Sequence, residues 1–139
     1  MNSKIKALDI LRRVEDQTLT QYSQSLNAAQ AAQAACLSRQ AALQDRLTTE
    51  ARTEATEALP YIGRFLATLR KEQAREASLA QVLDKEITAL RDEVMVHFTA
   101  EKTYAQLANS QRQAMMLARV QKAEAQIEDI TAARYRRAG

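Results

Sequence analysis

Apolar side chains in the first third of the chain recur at intervals of three, four and seven residues: Ile5, Leu8, Leu11, Tyr22, Leu26, Ala29, Cys36, Leu43 and Leu47. On a helix that spacing makes one narrow stripe, the seam of a coiled coil rather than the broad face that covers a globular core. Asn2 or Ser3 can cap the start. Glu15, Gln33 and Gln40 fall at the same phase, where polar side chains lower stability and restrict the choice of register. Between 28 and 42 the chain is rich in alanine, so two backbones can approach closely while burying little area per turn.

Proline and glycine come together only in Leu59-Pro60-Tyr61-Ile62-Gly63. The residue before a proline is pushed out of the helical region, so the pattern predicts a first helix over about 3–58 and a turn near 59–63. Pro60 lacks only an N–H that a first helical turn leaves unpaired, and it can open a second helix over about 61–136. That helix carries Ile62, Phe65, Leu69, Leu79, Leu83, Ile87, Leu90, Val94, His97 or Phe98, Tyr104, Ala108, Met115, Ala118 and Ile127 at seam spacing.

A hairpin and a single kinked rod that dimerises both satisfy this pattern, and the short connection favours the hairpin. A reversal centred near Tyr61 sets Leu43 opposite Leu79, Leu26 opposite Val96 and Leu8 opposite Ala114, apolar against apolar at each level. From about Arg119 onward the second helix has no partner, yet Val120, Ala123, Ile127, Ile130 and Tyr135 continue at helical spacing beside Arg134, Arg136 and Arg137. An isolated helix of this kind is marginal in water, so its stripe calls for another protein, although a frayed terminus gives the same pattern. The expected fold is therefore all-α: an antiparallel two-helix coiled-coil hairpin forming a single domain, 1–139, with the second helix longer and overhanging at its C-terminal end.

Composition supports this picture. Alanine, about a fifth of the chain, inflates the 46% hydrophobic fraction, and two glycines and one proline leave almost no breaks in a helix-forming background. The net charge of +3 comes from 20 basic and 17 acidic residues mixed along the chain, the pattern of a solvated helix surface. With no tryptophan and no dense basic arm, nucleic-acid binding is a minor alternative. Cys36 is the only cysteine, which excludes an intramolecular disulfide and fits a reducing compartment. No apolar run approaches the roughly 20 residues of a membrane span or resembles a signal peptide. A cytoplasmic protein is expected.

Chemistry is sparse. Gly63 and Gly139 stand too far apart for a phosphate-cradling loop, and Cys36 and His97 do not have metal-ligand spacing. Glu124 and Glu128 lie one turn apart with no pocket to shift their titration. The chain is expected to be no enzyme and to need no cofactor or metal.

Four local patterns resemble a known family: Ile5-x-x-Leu8-x-x-Leu11 followed by Glu15; Tyr61-x-x-x-Phe65-x-x-x-Leu69; Glu101-Lys102 with Leu107; and Glu124 to Ile130, containing Ile127 and the acidic pair Glu128-Asp129, before the basic residues 134–137. Together with length and helix layout they make the chain similar to the FliJ and YscO family of coiled-coil stalk proteins of type III export systems. The resemblance implies an antiparallel stalk that docks into the hexameric export ATPase and links it to the cytoplasmic domain of the export gate protein, with export chaperones as further partners. It places the protein in the cytoplasm, peripheral to the inner membrane through the apparatus, with membrane contact only indirect. It assigns gate contact to Phe65, Leu69, Glu72 and Glu76, and ring contact to Ile127, Ile130, Arg134, Tyr135, Arg136 and Arg137. Seam packing is an equal alternative for Phe65 and Leu69. Glu72 and Glu76 stand where flagellar members carry apolar and histidine side chains, so flagellar and injectisome systems both remain open. Outside this family, a self-associating structural or tethering coiled coil fits the same pattern.

Overall fold

A computed structural model describes residues 2–52 and 59–138, with side chains described over 3–52 and 60–138. The chain is all-α: α1 spans Asn2–Ala51 and α2 spans Leu59–Ala138. Its contacts group into two units, one formed by Met1–Thr18 with Val96–Gly139 and the other by Leu19–Met95. Both helices contribute to each.

In the unit 19–95, Arg39 pairs with Glu76 and Gln44 with Gln73, so rising numbers on α1 meet falling numbers on α2 and the two segments run antiparallel. Shielded positions follow a heptad ladder, alternating steps of three and four residues: 19, 22, 26, 29, 33, 36, 40, 43, 47 and 50 on α1, and 62, 66, 69, 73, 76, 80, 83, 87, 90 and 94 on α2. Ala29, Cys36, Leu43, Leu69, Leu83 and Ile87 are buried there. A fully buried leucine contributes about 1.5–3 kcal/mol, so Leu43, Leu69 and Leu83 are each substantial contributors.

In the unit formed by the chain ends, Asp9 pairs with Arg112 and Glu15 with His97, again antiparallel. The ladder on α2 continues through 97, 101, 104, 108, 111 and 115, with Ala108 buried. Beyond Met115 every described residue of α2 is exposed. The two-helix hairpin with a longer, overhanging second helix is therefore as expected.

Helix boundaries and register differ from the sequence reading. α1 stops at Ala51, and the Arg52 N–H donates to the Thr49 carbonyl at 3.2 Å, closing a tighter turn. The remainder of the expected first helix, 53–58, lies outside the described residues. Thr48 and Thr49 bond back to the carbonyls of Gln44 and Asp45, and no basic residue occupies the last turn, so this end is a weak one. Residues 59–63, the expected turn, are helical instead. Pro60 fits within the first turn of α2 as anticipated, and Gly63 has an ordinary helical backbone with no atom within 4 Å of where a Cβ would be.

With residues 59–63 inside α2, the cross-helix register of the unit 19–95 differs from the expected one. Residue 44 meets 73, so Leu43 lies beside Glu72 and Glu76 rather than Leu79, which is 40% exposed. Ala80 takes the seam position one residue on. Val96 and Ala114, expected at apolar seam levels, are exposed. Leu11 and Phe98 also turn outward, His97 takes the seam place, and Ala118 falls beyond it.

Candidate functional site

The region just after the start of α2 holds the four residues assigned to gate contact. Leu69 is 1% exposed and belongs to the seam. Phe65 is half-buried, and the Arg46 guanidinium lies over its ring, 5.1 Å from the centroid. Such a cation–π contact both fixes the ring and shields one face. Glu72 is exposed and lines a shallow groove with Arg39, Ala42, Leu43, Arg46, Arg75 and Glu76. Of the four, Glu72 is exposed and Phe65 is half-buried.

Glu76 is the centre of a polar cluster in the seam. Its Oε1 accepts from Arg39 Nε at 2.8 Å, while the Cys36 thiol donates to its Oε2 at 3.2 Å and to its backbone carbonyl at 3.1 Å. The Arg39 hydrogen bond, followed by the Cys36 thiol, holds the Glu76 carboxyl below the usual carboxylate range. Burial, reinforced by Glu76, pushes the Cys36 thiol up, and the side chain is 0% exposed. A thiol kept protonated and covered is a poor nucleophile, so Cys36 acts as a small seam residue with a hydrogen bond. A signal for this cluster was present in the chain: Leu69, Glu76, Leu83, Leu90 and His97 are seven apart, as are Glu15, Tyr22, Ala29, Cys36 and Leu43.

The same arithmetic brings Glu15 and His97 together. The Nδ1 of His97 and Oε2 of Glu15 are 2.5 Å apart, with each side chain about a fifth exposed. Glu15 at seam phase is thus paired rather than stranded, which removes most of the desolvation cost expected of it. Glu101 is also half-buried in this unit, with Lys102 beside it at 3.8 Å.

All six residues assigned to ring contact lie on the exposed end of α2. Ile127, Ile130 and Tyr135 are 63%, 55% and 82% exposed, a strong departure from the usual placement of large apolar side chains. Val120 joins Ile127 and Ile130 on one stripe, Arg134 follows at the same phase, and Arg136 and Arg137 occupy the last turn, where cations complement the helix dipole. Tyr135 sits at the margin of that stripe.

Among the described residues no group of histidine, cysteine and carboxylate side chains could hold a metal ion, and no helix is long and apolar enough to cross a membrane. What the molecule presents is surface: a charged groove beside Phe65 and an uncovered apolar stripe ending in arginines. No protein-family model matches the chain, and neither a curated protein nor a solved structure matches it significantly.

Proposed function

We propose that this chain is a non-catalytic stalk and adaptor of a bacterial type III protein export apparatus, flagellar or injectisome, acting in the cytoplasm beside the inner membrane. The overhanging end of α2 docks into the hexameric export ATPase, and the groove near Phe65 meets the cytoplasmic domain of the export gate protein. The observation that carries the reading is the exposed stripe of Val120, Ile127 and Ile130 leading into Arg134, Arg136 and Arg137. An amphipathic helix end seats in an apolar groove, and arginines suit bidentate contact with carboxylates at its rim.

At the other site, Leu69 and Glu76 act from within the seam and shape the surface, whereas Glu72 and the half-buried Phe65 make the contact. Export chaperones are further partners in this reading.

The test is ATP hydrolysis by the cognate hexamer with and without the purified chain. Stimulation and co-elution are expected, and both should fall when Ile127 and Ile130 are replaced by alanine while the helical signal is retained. A hexamer that is neither stimulated nor bound would remove the proposal.

A further inference from the structure

The apolar stripe at the end of α2 does not continue the seam. Extending the ladder 104, 108, 111, 115 in steps of three and four leads to Ala118, Lys122, Ala125, Asp129, Ala132 and Arg136, a face no longer apolar. The exposed stripe instead runs through Met116, Val120, Ala123, Ile127 and Ile130, two residues out of phase. At 3.6 residues per turn that places it roughly 150° round the helix from the face that receives α1. A longer α1 would therefore leave it uncovered, and whatever covers it approaches from the other side of α2.

Stripe residues alternate in steps of four and three, a heptad in which Val120 and Ile127 occupy a, and Met116, Ala123 and Ile130 occupy d. β-Branched residues at a suit parallel packing, and the small Ala123 at d and the arginines that follow Ile130 limit how many copies the core can join. Charge at the margins points the same way. Arg119 falls at g and Glu124 at the following e, the positions that face each other across a parallel pair, so two identical chains make this contact twice. In an antiparallel pair g meets g and e meets e, and Arg119 finds no carboxylate. Arg134 and Arg137 fall at core phase beyond Ile130, where two copies repel, which ends the pairing there and keeps it weak.

From this phase shift and charge pattern we infer that the free chain pairs with a second copy of itself through a short parallel coiled coil over residues 116–130. Pairing covers the stripe that the ring contact uses, so the self-paired and docked forms exclude each other, and the oligomeric state is read without the ATPase.

Light scattering and sedimentation of the full chain should show a monomer–dimer equilibrium. Glu124→Arg weakens it by about tenfold by turning two attractions into repulsions, and adding Arg119→Glu restores it. Arg134→Leu tightens it. Ala123→Cys and Ile130→Cys, tested separately, each form a disulfide to their own counterpart, while buried Cys36 does not compete. A monomer at every concentration with helicity intact overturns the inference. So does cross-linking at only one of the two positions, the signature of an antiparallel pair, or a double charge swap that fails to restore association.

Discussion

Residues 19–95 and the unit formed by the two chain ends follow the same heptad ladder but fill it differently. In the first, Ala29, Cys36, Leu43, Leu69, Leu83 and Ile87 are buried, and the polar intruder Glu76 is paired with Arg39 and accepts a hydrogen bond from the Cys36 thiol. In the second, Ala108 is buried, Glu15 and His97 hold the seam through a polar contact, and the rest of α2 carries its large apolar side chains in the open. The difference is one of burial. The unit 19–95 holds six of the seven buried apolar side chains among the described residues, while Val120, Ile127 and Ile130 of the other unit lie exposed.

The largest expected effect tests that division directly. Leu69→Ala should lower unfolding free energy by about 3 kcal/mol, whereas Ile130→Ala should change it by less than about 0.5 kcal/mol. Denaturant melts of the two variants, each with ATPase binding, decide the matter, and equal losses of stability would erase the distinction between the units. Next comes Glu15→Ala, which removes the 2.5 Å contact between Glu15 and His97 and should cost about 1–2 kcal/mol. Hydrogen exchange should speed up in 2–18 and stay slow across 29–43; uniform acceleration would mean that the two units open together.

Gly63→Ala tests the position of the reversal. Since Gly63 is helical with open space around its Cβ, alanine should stabilise the protein by about 0.5–1 kcal/mol. Destabilisation would put the turn back at 59–63. The smallest effect is in acid. Because Glu76 has a depressed pKa in the folded state, its contribution is present above the ordinary carboxylate range and is lost as pH falls through the folded value. Glu76→Gln should therefore melt lower than the parent at neutral pH, with the gap closing toward strongly acidic pH; a gap that widens on acidification would contradict the Arg39 pairing.

How much of this was legible in the chain depended on the range of the interaction. Scarce glycine and proline together with three-four spacing are enough for two helices, a seam and an overhang, and the same spacing puts Ala29, Cys36, Leu43, Leu69, Leu83, Ile87 and Ala108, all buried, on that seam. Glu15, Gln33 and Gln40 mark the polar seam positions of the first helix, and Gln73, Glu76 and Glu101 hold the equivalent positions of the second at visible heptad spacing. The exposure of the ring-contact residues was legible from the expected overhang of a second helix longer than the first.

Helix formation and heptad phase are properties of neighbours along the chain, so the amino-acid order by itself determined an all-α protein with one seam and an uncovered stripe at its end. Register is a property of the pair. It follows from where α1 stops, and each residue by which the reversal moves displaces the opposing helix by two; only the tertiary structure therefore decided that Gln44 meets Gln73, that Arg39 and Cys36 share Glu76, and that His97 closes on Glu15.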